Sequence, residues 1–332
     1  MENEYEGERL GMIDKFNVRT DLALEEKERF ESDDVEISGV VLEEHYDEQK
    51  EIRITMVKIE TEKGARTMGK PVGNYLTLEA PGMADDNEEI HRDISDELEK
   101  LLRRILKDHK GKQESVLVVG LGNRMVTPDA LGPYVADHLN ITRHVIREYG
   151  RYALHDQRMR LVSAIVPGVM GQTGMETVEI VKGIVKETKP DLVIAIDALA
   201  ARNTKRLNRT IQVADTGIQP GSGVGNHRSA ICQETLGIPV IAIGVPTVVD
   251  AATIVNDSME NLIQALETSE ALRGVGLVLQ GYNAAEKYEL VKELISPHLN
   301  GMFVTPKDID DTVRRISRIV CDAINQLCVC VE

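Results

Sequence analysis

Two acids stand where a carboxylate can do chemistry: Asp129 in "TPDALG" and Asp197 at the end of "DLVIAID". The run before Asp197 is apolar enough for a central strand, so its carboxylate is expected at the C-terminal edge of a sheet, where open α/β folds bind ligands. Asp129 follows "SVLVVG", a second expected strand, and the turn "GLGN". Both acids are therefore expected to face one crevice. Carboxylates that share a site couple their proton affinities, and a pair with one member protonated supplies an acid and a base for water attack on an amide. Two acids that merely cap loops or helix ends are the competing reading.

Around this pair lie three glycine-containing turns, "VPGVMGQTG", "QPGSGVGNHR" and "IGVPTVVD". The backbone of "PGSGVGN" is suited to a nest of N–H groups for an oxyanion, or simply to a tight turn. Gly223 and Asn226 within it, with Asn123 and Thr127 beside the first strand, are the supporting candidates. His227, following this turn, reads as a polar loop histidine, with a base or metal ligand as the alternative. A dinucleotide site is excluded because Met125 stands where the fingerprint needs glycine, and a Walker loop because its Lys-Ser/Thr pair is missing. No GxSxG elbow or HExxH helix occurs. No cofactor is expected, and whether a metal joins the two acids is left open.

The elements that position these residues follow from hydrophobic patterning. Short apolar runs, "SVLVVG", "LVSAIVP", "DLVIAIDAL" and "PVIAIGVP", alternate with amphipathic segments such as "TVEIVKGIVKETK". That alternation predicts an α/β fold, a mainly parallel sheet with helices on both faces in three layers. Before it, "VEISGVVLEE", "EIRITMVKIET" and "NYLTLEA" predict a small antiparallel N-terminal β meander, with "EKGARTMGKPVG" as a turn. Ile90, Ile94, Leu98, Leu102 and Ile105 form a helical stripe joining the two parts. A C-terminal helix is expected from Thr305 as N-cap and Pro306 as its first residue.

With 332 residues, 42% of them hydrophobic, the chain has material for a large core. Its net charge of −16 is the wrong sign for binding phosphates, and an aromatic content of 3% without Trp leaves few stacking platforms. Nucleic acid is therefore not an expected partner. No run of eighteen apolar residues and no signal-like N-terminus is present, so a cytoplasmic protein without a membrane partner is expected. Four cysteines, lacking paired CxxC spacing, are read as reduced.

Taken together, "GLGNRMVTPDALGP", "VSAIVPGVMGQTGMET", "IAIDALAAR", "DTGIQPGSGVGNHR", "ETLGIPVIAIGVPTVVDA" and "MFVTPKDID" resemble the germination proteases of endospore-forming bacteria, from about Val18 to the C-terminus. The resemblance implies an atypical aspartic-type endopeptidase that degrades small acid-soluble spore proteins, located in the forespore or spore core and assembled as a homotetramer. The family's two essential aspartates match Asp129 and Asp197. The region between about Glu267 and Glu286 is short for the family. The chain is more distantly similar to hydrogenase-maturation proteases, whose "GxGN" turn and second-strand acid bind a metal. A metal-dependent processing protease of that kind and a noncatalytic α/β binding module are the alternatives.

Germination proteases are made as zymogens that remove their own N-terminal segment at an acid followed by an apolar residue and Ala. "Thr20-Asp21-Leu22-Ala23" fits that order, which implies a cut between Asp21 and Leu22. The implied organisation is a propeptide of residues 1–21, a β-rich subdomain of 22–85 and a peptidase domain of 86–332. Without the resemblance, Thr20 or Asp21 reads as the N-cap of a helix with Glu25 and Glu26 in its first turn. A bond awaiting cleavage is expected in an accessible, unpaired arm, with the helix starting after the cut.

Overall fold

The computed structural model describes residues 20–32, 37–108, 113–221, 228–251, 253–255, 258, 262, 265 and 302–329. Gly223, Asn226, His227 and the stretch from Glu267 to Glu286 lie outside the described residues.

In chain order the elements are α1 (Ala23–Ser32), β1 (Val40–Asp47), β2 (Ile52–Ile59), α2 (Glu62–Met68), β3 (Gly73–Glu79) and α3 (Glu88–Asp108). They continue with β4 (Ser115–Gly120), α4 (Leu131–His138), α5 (Arg143–Tyr149), β5 (Leu161–Ile165) and α6 (Thr177–Thr188). The remainder is β6 (Leu192–Ala201), β7 (Thr210–Ala214), β8 (Val240–Asp250), β9 (Phe303–Val304) and α7 (Ile309–Leu327). Among the described residues, nine strands join one sheet in the order β1-β2-β3-β7-β8-β6-β4-β5, with β9 attached to β8.

The sheet is mixed rather than mainly parallel. Strands β5, β4, β6 and β8 run parallel to one another. Strands β1, β2, β3 and β7 pair antiparallel, and β7 runs antiparallel to β8, which joins the two halves. The expected separation of an N-terminal β unit from the main sheet is absent because β3 hydrogen-bonds to β7 from Tyr75–Ala214 to Glu79–Thr210. Long-range pairing of this kind leaves no mark in local periodicity.

Side-chain alternation along β4 shows how the parallel half is covered. Val116 and Val118 pack with Leu98, Leu102, Leu131, Val313 and Ile316, from α3, α4 and α7, on one face. Leu117 and Val119 pack with Val178 and Val181 of α6 on the other. The helical stripe of α3 is buried as its spacing predicts, with Ile94, Leu98 and Leu102 fully enclosed.

Two local expectations differ. "EKGARTMGKPVG" is not wholly a turn: Thr61 accepts the N–H of Gly64 as N-cap, and Gly69, at φ 61°, ends α2 in the left-handed conformation. Thr305 does not cap α7, which starts at Ile309. Its hydroxyl instead donates to the carbonyl of Thr247 in β8 at 2.9 Å.

Candidate active site

Asp197 is the sixth of the ten residues of β6, between Ala195 and Leu199 on the same face of the strand. It is the one interruption of a strand otherwise made of apolar residues, and it is 6% exposed. Strand β4 ends its pairing at Gly120 opposite Ile196, so Asp197 lies one residue past that last pair. Its Oδ1 accepts the N–H of Ala198 at 3.0 Å.

Asp129 is brought to it by close backbone packing. After β4 the chain turns through Leu121, whose N–H donates to the carbonyl of Ile196 at 2.8 Å. A Cβ at Gly120 would come within 2.3 Å of the Gly132 carbonyl oxygen, and one at Gly132 within 2.4 Å of the Leu121 oxygen. Only glycine at both positions lets the start of α4 rest directly on the strand ends. Gly122, at φ 109°, passes so near the Asp129 carbonyl that any side chain there would overlap it. Thr127–Asp129 form a single 3₁₀ turn, and the hydroxyl of Thr247 fastens it to β8 by donating to Pro128 O at 2.7 Å.

The two carboxyls differ in surroundings. Burial pushes Asp197 well above the usual carboxylate range, and the negative charges of Asp129 and Asp21 push it further. Burial raises Asp129 too, while the N–H of Asn123, 2.8 Å from Oδ2, and the positive charge of Arg228 favour its ionised form. Arg228 acts on Asp197 in the same direction. The site thus ranks its acids: Asp197 holds its proton more firmly than Asp129.

Of the supporting candidates, Asn123 touches the pair through its backbone, and its side-chain oxygen accepts the N–H of Met125 and the amide of Gln172. Thr127 contributes its carbonyl to the turn, accepting the N–H of Ala130. Arg228 was not among the expected site residues. Its only signal was its place directly after the "PGSGVGNH" turn.

The N-terminal segment enters this site. Thr20, Asp21 and Leu22 precede α1, which begins at Ala23, so neither Thr20 nor Asp21 caps it. Asp21 instead exchanges hydrogen bonds with Ala200 of β6: its N–H donates to Ala200 O at 3.1 Å, and its Oδ2 accepts Ala200 N–H at 2.9 Å. Leu22 is fully buried with Leu199, Ala201 and Val249. The Asp21–Leu22 peptide is therefore docked and enclosed rather than carried in an unpaired arm.

Helix α1 is locked down behind it. Glu25, 3% exposed, accepts the N–H groups of Arg202 and Asn203. Arg206 binds Glu28 through two nitrogens at 2.6 Å and Glu79 at 2.9 Å, and lies 3.5 Å from Glu25. Lys70 and Gln212, which donate to the carbonyl of Asp21, and Arg206 were all missed by sequence reasoning, because each is recruited across the fold.

A germination protease family model matches residues 18–273. The chain belongs to the germination protease family. The germination protease of Caldanaerobacter subterraneus subsp. tengcongensis is 48% identical over 317 residues, covering 95% of both chains. That of Clostridium perfringens (strain ATCC 13124) is 45% identical over 316 residues, covering 93% of this chain and 94% of the relative. The Geobacillus sp. germination protease is 39% identical, covering 94% of each. Among solved structures, a [NiFe] hydrogenase maturation protease HycI from Thermococcus kodakarensis is similar at 20% identity. It covers 43% of this chain and 80% of its own, with a TM-score of 0.27, too partial to bear on mechanism. As a member of the germination protease family, the chain is a peptidase. Among the described residues no helix is long and apolar enough to cross a membrane, and no group of three or more His, Cys, Asp or Glu is placed to hold a metal ion.

Proposed function

We propose that this germination protease is an aspartic-type endopeptidase in its zymogen form, with Asp129 and Asp197 as the catalytic pair and Asp21–Leu22 as the bond it cuts in itself. The observation that carries this reading is the docking of Asp21 on Ala200, three residues from Asp197, with Asp21 itself among the charges that act on Asp197. On this reading Thr20-Asp21-Leu22-Ala23 stands in for a peptide substrate.

In this mechanism Asp129, ionised, takes a proton from water as the water oxygen attacks the Asp21 carbonyl carbon. Asp197, protonated, delivers its proton to the Leu22 nitrogen as the C–N bond breaks. The assignment follows the ranking of the two acids: the buried carboxyl flanked by two negative charges is the proton donor. Residues 1–21 are the propeptide, residues 22–85 the β-rich subdomain, and 86–332 the peptidase domain that carries the acids. The substrates are small acid-soluble spore proteins of the spore core, bearing an acid followed by an apolar residue and Ala at their cut sites. Removal of residues 1–21 releases the contacts that Asp21 makes with Ala200, Lys70 and Gln212 for them to take. Assembly as a homotetramer belongs to the same proposal.

The test is to incubate the purified full-length chain at mildly acidic pH and follow its intact mass, beside Asp129→Asn and Asp197→Asn. Loss of the first 21 residues in the wild type alone is expected. Equal processing in either variant would remove that acid from the mechanism. Asp21→Ala is expected to slow the cut, and an unchanged rate and product mass would overturn the site assignment.

A further inference from the structure

The carbonyl of Asp21, the one that hydrolysis of Asp21–Leu22 would attack, carries two side-chain donors. Lys70 Nζ lies 2.9 Å from it and Gln212 Nε2 3.3 Å. The same Gln212 carboxamide accepts the N–H of Ala23 through Oε1 at 2.7 Å. One rigid side chain thus holds the backbone on both sides of the Leu22 residue, and a cation adds to its grip on the oxygen.

Both donors are held firmly. Gln212 lies in β7, paired to Thr77 of β3 and Gly244 of β8, and is 9% exposed. Lys70 follows the left-handed Gly69 that ends α2, and its N–H returns to the carbonyl of Ala65. Anchoring of α1 is already provided by Leu22, Ala23 and the Arg206 cluster. A cation aimed at one carbonyl is the arrangement that matters when charge develops on that oxygen.

The geometry points to Lys70 and Gln212 as the electrophilic clamp of the reaction, the groups that polarise the scissile carbonyl and stabilise its oxyanion. This rests on the processing reading of Asp21–Leu22 given above. The water oxygen forms a bond to the Asp21 carbonyl carbon and gives its proton to the Asp129 carboxylate. The π electrons move onto the oxygen that faces Lys70 Nζ and Gln212 Nε2. Those electrons then reform C=O, the C–N bond breaks, and the Asp197 carboxyl protonates the Leu22 nitrogen. The products are the carboxyl of Asp21 and the amino group of Leu22, with one water consumed. The clamp supplies from α2 and β7 the stabilisation that the sequence led one to seek in the "PGSGVGN" backbone. A spore protein lying in the same groove would offer these donors the carbonyl of the acid before its cut.

The test compares full-length wild type, Lys70→Met, Lys70→Arg and Gln212→Glu by intact mass against time, with thermal melting of each. The processed forms are then assayed on a synthetic peptide containing Thr-Asp-Leu-Ala. Loss of one oxyanion donor costs about 10²-fold, so Lys70→Met is expected to slow processing by about that factor with unchanged product mass and melting. Lys70→Arg restores most of the rate. Gln212→Glu, which keeps the acceptor for Ala23 and loses the donor, is also slowed. On the peptide the loss falls on kcat, where a mere anchor would alter KM. Lys70→Met within about threefold of wild type, Lys70→Arg as slow as Lys70→Met, or a loss confined to KM overturns the clamp. A wild-type chain that cuts elsewhere, or an Asp129→Asn chain that cuts normally, overturns the processing reading itself. Those outcomes are separate from a wild type that cuts at Asp21–Leu22 alongside an equally fast Lys70→Met.

Discussion

The two halves of the sheet bring different chemistry to one place. The parallel half, through β4, β6 and the turn before α4, delivers two acids in poorly solvated positions, Asp129 and Asp197, both with raised proton affinity. The antiparallel half, through α2, β3 and β7, delivers groups that are well paired: Lys70 and Gln212 on the Asp21 carbonyl and Glu79 on Arg206. In the proposed reaction the proton transfers fall to the poorly solvated acids of the parallel half, while the antiparallel half supplies the donors on the carbonyl under attack and the ion pairs that hold α1. The Asp21–Leu22 segment lies where the two halves meet.

Substitutions can break this division or sharpen it. Replacing either acid of the parallel half, Asp129→Asn or Asp197→Asn, should lower the processing rate by about 10³-fold, read by intact mass. Retained activity in either would mean the division is drawn wrongly. On the antiparallel side, Arg206→Ala should cost about 3 kcal/mol in urea unfolding, because Glu25 stays buried beneath it without its cation. A loss below about 1 kcal/mol would reduce the cluster to a surface ion pair.

Gly132→Ala tests the close approach that sets Asp129 beside β6. The added methyl meets three backbone atoms at 2.4 to 2.7 Å, none of which can swing aside as a side chain would. Destabilisation of about 2 kcal/mol is expected in the same unfolding assay, with a slower cut.

A smaller effect has the opposite sign. Asp197 binds its proton more tightly folded than unfolded, so its favourable contribution is complete below about pH 4 and is lost as pH rises through its raised folded value. Asp197→Asn should therefore raise stability by about 1 kcal/mol at neutral pH and above, with the gain vanishing near pH 4, in melting curves taken across pH. A variant less stable than wild type at pH 8 would contradict the raised proton affinity. The smallest expected change is in Asp21→Asn. Removing one of the two negative charges that hold the proton on Asp197 should move the alkaline limb of the processing profile to lower pH, while Asp129 and Arg228 still act on it. A limb that stays in place would exclude Asp21 as an influence on the donor.

The parallel strands and the long helices could be read because each is a continuous local pattern: apolar runs for β4, β6 and β8, and a 3.6-residue stripe for α3. Asp197 stood out for the same reason, a lone acid closing such a run. Helix α2 reads as a turn in the sequence because its seven residues are too few to show a stripe, and only its caps, Thr61 and Gly69, mark its ends. The docking of Asp21 had no local signal at all: an acid before a leucine reads equally as a helix cap, a solvated arm or a substrate.

From residue order alone came the α/β character of the chain, its two acids and the four residues that resemble a cut site, since these depend only on neighbours in sequence. What tertiary structure decided was which groups meet across 50 to 190 positions. Asp21 reached Ala200 and Lys70, and Gln212 reached Ala23, because the β3–β7 pairing joins the antiparallel strands to the sheet that carries β6. The physical reason is that strand pairing and burial act between surfaces, and those surfaces exist only once the chain has folded.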